Sequence, residues 1–467
     1  MGVAAALLAL AGCAVIHRAH EAQRDLAPRG TGDAPAAAKV CLADYSLREL
    51  VDFAMTNRPS VIAAALAVED ARLALRTIAA DAPLVSASPW TAPHVSASGG
   101  YNASSARDTS LEWHTEGNAS AGLSLSVLLF DFGRNAAQAN AQVERLIAAE
   151  YALVREGYTV FEEVSKAYFN LLEYDALLQV AATNETEFAL HLSQARDRLA
   201  AGEAQRLDVA RARLDLSRAK ESTLAASNLV ATSGATLMKA LGIDVSRGTR
   251  EEVFPLRGDS LSVLTRGFVD TRYDVDEAFA LARTNAPATA IARARFRAAS
   301  HAVDAAVADL MPEISGSVGI SWADPFWMWS WGVSAVQSVF TGFRKTTAVD
   351  RAVVALQTAA TTVDEAELQL SVDLETAIAT RDNAVKARET ARASVIAARE
   401  NLDMVKARYL EGDASRVDFT DSVSAFATAL GSRVTAFYRG QIAEARLFAL
   451  IGRMPEYREE KVKGRAK

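Results

Sequence analysis

The chain has 467 residues, half of them hydrophobic and only 7% aromatic, and its formal net charge is −7. This length is sufficient for a large buried core, and the lack of a basic excess argues against nucleic acid as a partner. An alanine-rich, aromatic-poor sequence is more typical of closely packed helices than of a thick globular core.

The N-terminal twelve residues are apolar, and their last three residues, Leu10-Ala11-Gly12, precede Cys13. Small residues before a cysteine resemble the lipobox of bacterial lipoproteins, which implies a signal peptide over 1–12 and a lipid-anchored segment over 13–44 beginning at Cys13. The first residues lack the positive charge that export signals normally carry, and the alternative is an apolar terminus with a chance cysteine. The remaining cysteine, Cys41, is interpreted as a bystander, because two cysteines cannot form a disulfide framework.

The second half of the chain repeats the first half. Arg198, Gly202 and Asp208 have counterparts 210 positions later, at Arg408, Gly412 and Asp418. Upstream the offset grows to 219 and then 228, so the first copy carries two insertions of nine residues. A duplication of this length sets the architecture. It divides the chain into a first repeat over 45–243, an irregular linker over 244–273, a second repeat over 274–453 and a charged tail over 454–467.

Two segments predict exceptionally long helices. Asn135–Ala201 has no proline and a single glycine, and Phe343–Glu411 has neither, so each predicts a helix of roughly 100 Å. An uncharged residue recurs at every seventh position of both segments, which is typical of a coiled-coil seam. A glycine suits the position just past each helix end, and a shorter helix follows it to about Gly242 or Gly452. The seam positions are Ala139, Leu146, Leu153, Val160, Ala167, Tyr174, Ala181, Phe188 and Ala195, and Val349, Leu356, Val363, Leu370, Ala377, Ala384, Ala391, Ala398 and Val405.

Four segments alternate between apolar and small polar residues, the pattern of a barrel strand with one face in lipid and one in a wet lumen. They form one predicted hairpin per repeat, about Val95–Ser105 with Gly117–Phe130, and Ile314–Ser321 with Trp327–Phe340. Four strands cannot close a barrel, and open sheet edges are not tolerated in lipid. Several chains must therefore share one barrel, unless the segments form a soluble four-stranded sheet.

These parts together resemble the outer-membrane efflux proteins, the TolC/OprM-like channels. The resemblance covers about residues 45–453. It is carried by Leu129-Phe130-Asp131-Phe132-Gly133-Arg134, by the strand starts, by the duplicated Arg-x-x-x-Gly-x-x-x-x-x-Asp hairpin, and by Leu241-Gly242 and Ile451-Gly452.

The resemblance implies a mainly helical fold with a membrane β portion, built from a duplicated helix–β-hairpin–long helix–helix unit. It implies a homotrimer in the outer membrane, with one shared twelve-stranded barrel and a periplasmic helical tunnel that closes at the hairpin tips. The implied partners are a periplasmic adaptor and an inner-membrane transporter of the resistance-nodulation-division type. The chain departs from the family in lacking an acidic residue in the Phe340-Thr341-Gly342-Phe343-Arg344 turn, and in carrying Ala414 where some members place a tip arginine.

The resemblance also implies a gate at the hairpin tips. Asp418 and Asp421 lie three residues apart on one helix face, and rings of three carboxylates in a narrow pore would favour cations. Asp208 is a weaker candidate, because acidic residues favour any helix N-terminus. The candidates for polar links across the tip, alternatively ordinary exposed residues, are Arg206, Arg211, Tyr409 and Arg416. Gly202 and Gly412 form the turns where an adaptor would dock.

No catalytic constellation, cofactor motif or metal-ligand spacing is expected, and the six histidines are scattered along the sequence. The predicted function is a passive, gated outer-membrane conduit for drugs, metals or similar small molecules, and not an enzyme. Two alternatives remain open: the channel of a one-step protein or peptide secretion system, and a lipid-anchored coiled-coil scaffold of the envelope.

Overall fold

The structure is a computed structural model that describes residues 46–80, 94–107, 113–202, 205–243, 275–323, 326–411 and 413–453. The elements below belong to one compact unit, Ser46–Gly242 with Gly258–Lys467. In chain order they are α1 (Leu47–Asn57), α2 (Pro59–Ala80), β1 (His94–Arg107), β2 (Trp113–Phe130), α3 (Arg134–Ala200), α4 (Arg206–Ala240), α5 (Val275–Asn285), α6 (Pro287–Ala308), β3 (Glu313–Ala323), β4 (Phe326–Val336), α7 (Arg344–Glu411) and α8 (Arg416–Ile451).

The element lengths confirm the duplication. α1 and α5 both have 11 residues, and α2 and α6 both have 22. The long helices α3 and α7 have 67 and 68 residues, and the helices that follow them have 35 and 36. The short helices α1 and α5, which precede the proline at the start of α2 and α6, are absent from the sequence-based prediction. Proline suits this first helical turn because its missing N–H has no partner there.

The long helices follow the predicted seam. All eighteen seam positions of α3 and α7 are buried or half-buried. Charged residues occupy much of the remaining surface, so the apolar line is the part of each helix that packs against its neighbours. Among the described helices, none combines the length and the hydropathy that a membrane span needs.

The two long helices differ in how many neighbours they have. α3 packs against α1, α2, α4, α6 and α8, whereas α7 packs mainly against α5, α6 and α8. The largest fully buried side chains include Phe161 and Phe169 of α3 and Tyr438 of α8. The principal core therefore surrounds α3, and α7 keeps one side uncovered within the chain.

The four strands form one antiparallel sheet in the order β1-β2-β3-β4. β2 pairs with β3, so the sheet joins the two repeats. β1 and β2 have 14 and 18 residues against 11 each for β3 and β4, because one nine-residue insertion lengthens the first hairpin. The prediction that the fourth strand reaches Phe340 is wrong. β4 ends at Val336, because Val336 pairs with Glu313, the first residue of β3, and later residues have no partner strand.

Candidate functional site

One face of the sheet is apolar across all four strands. The pairing registers place Val95, Leu125, Val318 and Trp331 in one row. The next row contains Ala97, Leu123, Ile320 and Trp329. Trp329 and Trp331, on the edge strand β4, are 76% and 82% exposed. An exposed apolar surface of this kind needs lipid or protein to cover it.

The opposite face is lined by hydroxyl groups. Its central rows consist mostly of serine and glycine, and one row reads Ser96, Ser124, Gly319 and Ser330. The hydroxyl oxygens of Ser96 and Ser124 lie 2.6 Å apart, and cross-strand pairs of this type stabilise antiparallel sheets. The side chains of these rows are neutral and small, so this face can be hydrated and carries no net charge there.

The junction between the sheet and the long helices is fixed by charged groups. The buried Asp131 carboxylate accepts hydrogen bonds from the backbone N–H of Gly133 at 3.2 Å and of Asn135 at 2.7 Å, and so caps α3. The Arg134 guanidinium bonds Asp309 at 3.3 Å and Glu313 at 2.8 Å. Burial opposes the charge on Arg134, but these two carboxylates outweigh it and raise the arginine pKa. Lys345, at the start of α7, also pairs with Asp309. Asp309, the residue after α6, therefore contacts the first turns of both long helices.

The far end of the helices, called the tip below, consists of the α3–α4 and α7–α8 connections and the first turns of α4 and α8. Gly202 is exposed and adopts a φ of +80°, a left-handed conformation that glycine accepts readily. The space where a side chain would begin is open. Gly412 and Cys13 lie outside the described residues.

The three candidate gate aspartates occupy different environments. The Asp418 carboxylate accepts bonds from the Ser415 N–H at 3.2 Å and the Ser415 hydroxyl at 2.8 Å, which completes a capping box at the start of α8. Asp208 accepts a bond from the Gln205 N–H at 3.1 Å at the equivalent place in α4. Asp421 is exposed and has no partner among the described residues. Asp418 and Asp208 therefore have a structural role in this chain that Asp421 lacks.

Of the four residues that were candidates for polar links across the tip, Arg416 and Tyr409 make contacts between helices. Arg416 of α8 pairs with Asp215 of α4 at 3.0 Å, and both side chains are about four-fifths buried. The Tyr409 ring stacks on Phe419, with centroids 5.0 Å apart, and the Arg198 guanidinium lies 5.0 Å from the Tyr409 ring centre. Arg206 and Arg211 are exposed and have no partner in the described part of the chain.

One residue beside Tyr409 and Phe419, His191, is not indicated by the sequence. His191 of α3 is only 2% exposed, and its ring lies 5.9 Å from that of Tyr409 and 5.4 Å from that of Phe419. Burial lowers the pKa of His191, and Arg416 and Arg198 lower it further against the opposing charge of Asp215. The sequence does carry a signal for Phe419. Its counterpart in the first repeat, Val209, is also apolar, so this position is apolar in both repeats. Neither His191 nor Asp215 belongs to any motif of the sequence.

Large apolar side chains remain exposed on α2, α4 and α7. Soluble monomers rarely present so many, so these rows indicate surfaces that pack against another molecule. They are Ile62, Leu66 and Leu73 on α2, Leu207, Leu214, Leu224 and Leu229 on α4, and Val354, Leu368, Val372, Ile396 and Met404 on α7. In the described ranges, no three metal-ligating side chains converge.

A two-faced sheet carried on paired helices of this length defines a class of protein, the subunit of an outer-membrane channel. The model of the outer membrane efflux protein family matches residues 50–243 and 279–453, and the chain belongs to this family. Members of the family are outer-membrane channels. No curated protein gives a significant match in sequence.

Solved structures share the fold at low sequence identity. A membrane protein from Pseudomonas aeruginosa is 22% identical with a TM-score of 0.76, over 91% of this chain and 99% of that one. VceC, an outer membrane protein of Vibrio cholerae, is 17% identical with a TM-score of 0.74, over 87% and 96%. The open-state MtrE outer membrane channel of Neisseria gonorrhoeae is 18% identical with a TM-score of 0.72, over 92% and 95%. At these identities the likeness concerns the fold alone.

Proposed function

We propose that the chain is the outer-membrane component of a tripartite efflux system, a passive and gated conduit for small molecules. The observation that carries this proposal is the pairing of an apolar sheet face with a hydroxyl face, in a chain of the outer membrane efflux family. The apolar face suits lipid, and the serine-rich face suits a water-filled lumen. Members of this family are channels, and the proposed role involves no catalysis.

The conduit requires more than one copy of the chain. β1 and β4 are both edge strands, and four strands are too few to close a barrel. Of the two helices α2 and α6, α3 packs against both, whereas its counterpart α7 packs closely against α6 alone. Because the repeats are equivalent, α2 of a second copy fits the uncovered side of α7, and β1 of that copy fits beside β4. Such a head-to-tail contact closes into a ring, and we assign three copies to it by analogy with the family.

The gate of this conduit lies at the tip. In a trimer, Asp421 and Asp418 each provide a ring of three carboxylates, and such rings favour cations in a narrow pore. The lumen face of the sheet carries few charges, so the sheet adds little to the charge preference that the proposed tip rings impose. Opening then requires the first turns of α4 and α8 to move apart.

Asp421→Asn is the sharpest test of the gate, because the carboxylate that it removes has no partner among the residues that the structure describes. We expect lower cation selectivity and a higher conductance in planar bilayers, with a larger effect when Asp418→Asn is added. Asp208→Asn is the comparison variant, since it removes the corresponding capping contact in the first repeat and tests the third gate candidate. Single-channel behaviour of the double variant identical to that of the wild type would contradict the gate.

The proposed partners are a periplasmic adaptor that docks at the exposed Gly202 and at Gly412, and an inner-membrane transporter of the resistance-nodulation-division type. Substrate choice then belongs mainly to the transporter. Deleting this chain should raise cellular accumulation of the transporter's substrates as much as deleting the transporter does. Unchanged accumulation would argue against the efflux role, and loss of an exported protein would favour the secretion alternative.

A lipid anchor at Cys13 is part of the proposal and rests on the sequence Leu10-Ala11-Gly12-Cys13. The anchor would add membrane affinity to that of the sheet, at about 0.8 kcal/mol per buried methylene group. Mass spectrometry of the mature N-terminal peptide tests it. An unacylated Cys13, or an uncleaved N-terminus, would remove the anchor and leave the channel proposal intact.

A further inference from the structure

His191 occupies an unusual position for a histidine. It is 98% buried at the tip, and neither Nδ1 nor Nε2 has a hydrogen-bond partner among the described residues. A buried polar group without a partner costs about 1–3 kcal/mol. The ring packs against Phe419 of α8 and Tyr409 of α7, so it joins three helices at the point where the tip must open.

The charged groups around this imidazole disfavour its protonation. Arg198 lies on the same helix, Lys406 and Tyr409 line the cavity from α7, and Arg416 approaches from α8. The acidic groups are Glu187 of α3, which is exposed, and Asp215 of α4, which already pairs with Arg416. The cavity beside the ring measures about 20 Å³, room for roughly one water molecule, so little solvent is available to stabilise a charge on the ring.

Opening of the tip would change these surroundings completely. Phe419 lies in the first turns of α8, so a movement of α8 away from α3 and α7 separates its ring from His191. The same movement breaks the Arg416–Asp215 pair and removes Arg416 from the imidazole. The histidine would then be hydrated and free to accept a proton.

We propose that His191 is an acid sensor of the tip: its ring is neutral and desolvated in the closed state, and its protonation on acidification of the periplasm favours the open state. This inference rests on the gated-channel function proposed above.

The direction follows from proton linkage. Burial and the two arginines lower the pKa of His191 in the closed state, whereas the hydrated ring has its ordinary pKa of about 6.5. As pH falls below that ordinary value, only the open state takes up the proton. Each pH unit can then raise the open-to-closed ratio by up to about tenfold for each histidine that gains a proton, so three copies would make the response steep.

The experiment measures the open probability of the full-length protein in planar bilayers at about pH 7.5 and pH 5.5 on the tip side, a range in which histidine is the main titrating side chain. We expect a rise of about tenfold or more at the lower pH in the wild type. In His191→Phe, which fills the ring site, and in His191→Gln, which stays neutral, the two values should be nearly equal. His301→Gln, at a more exposed histidine of α6, should keep the full response.

A wild-type channel insensitive to pH, or a full response in both His191 variants, would overturn the sensor. Hydrogen exchange of residues 188–195 in the wild type, corrected for its intrinsic pH dependence, gives a measurement independent of variant folding, and it should be faster at the lower pH. Equal corrected exchange rates would also overturn the inference. Absence of any channel, at either pH and in Asp418→Asn/Asp421→Asn, would instead contradict the proposed function.

Discussion

At the scale of single residues, the pair between Arg416 and Asp215 is the most consequential contact of the tip. Its atoms lie 3.0 Å apart, and the two side chains are only 17% and 21% exposed. Partial burial matters because exposed ion pairs usually contribute under about 1 kcal/mol, whereas a hydrogen bond to a shielded charged group contributes about 1.5–3 kcal/mol. The pair links α4 and α8, the last helices of the two repeats, within one chain.

Removing either partner should loosen the closed tip. We expect Arg416→Ala or Asp215→Asn to raise the open fraction by about tenfold, which corresponds to about 1.4 kcal/mol. The double variant should raise the open fraction no further than either single variant does, because both changes remove the same interaction. Open probability in bilayers measures the effect. Arg211→Ala is the control, because Arg211 is exposed and has no partner in the described ranges. Additive effects of the two changes would show that the residues act separately.

At the scale of elements, the two strand-to-helix turns show what one capping residue contributes. Asp131 caps α3 through two backbone N–H groups, whereas Thr341 occupies the equivalent place before α7. Both turns use left-handed conformations, at Phe132 and Gly133 in the first repeat and at Gly342 and Phe343 in the second. The repeats therefore keep the same backbone path while differing in the cap.

The two turns allow the cap to be removed in one repeat and added in the other. Asp131→Ala should destabilise the fold by about 0.5–2 kcal/mol, the usual cost of losing a helix cap. Thr341→Asp should stabilise it by about 0.5–2 kcal/mol, because it supplies the missing cap to a backbone of the same form. The temperature at which the purified oligomer dissociates measures both changes. A loss of stability in Thr341→Asp would mean that the two turns are not equivalent.

At the scale of the whole molecule, the internal repeat predicts how neighbouring copies meet. Ala294 of α6 and Ala148 of α3 belong to one buried cluster within the chain. Leu66 of α2 is the repeat counterpart of Ala294, and Thr358 of α7 is that of Ala148. Leu66 is 64% exposed, and Thr358 is also exposed. In a ring of equivalent repeats, Leu66 should therefore lie beside Thr358 of the next copy.

Cysteine cross-linking tests that arrangement. Mild oxidation of the Leu66→Cys/Thr358→Cys variant should give covalent dimers and trimers, because suitably placed cysteines have Cα atoms about 4.4–6.8 Å apart. Each single variant should give no covalent oligomers, which excludes cross-links through Cys13 or Cys41. A species larger than a trimer would revise the number of copies. The absence of any cross-link in folded protein would count against the contact between α2 and α7.

The sequence by itself determined the features that repeat with a short period. The seven-residue spacing predicts both long helices and their buried seam, the alternation of apolar and small residues predicts the strands, and the offsets near 210 positions predict the duplication. The first two patterns are readable because each depends on residues only a few positions apart. The duplication is readable because the second copy repeats the residues of the first in the same order.

Only the tertiary structure decided which distant residues meet. Arg416 and Asp215 are 201 positions apart, so their pairing cannot be predicted from local residue spacing. His191 belongs to no sequence motif, so its burial cannot be predicted in this way either. The end of β4 was likewise set by where β3 begins and not by its own residues. The physical reason is common to these cases: burial, charge pairing and strand ends depend on the partner that packing supplies, and that partner lies far along the chain.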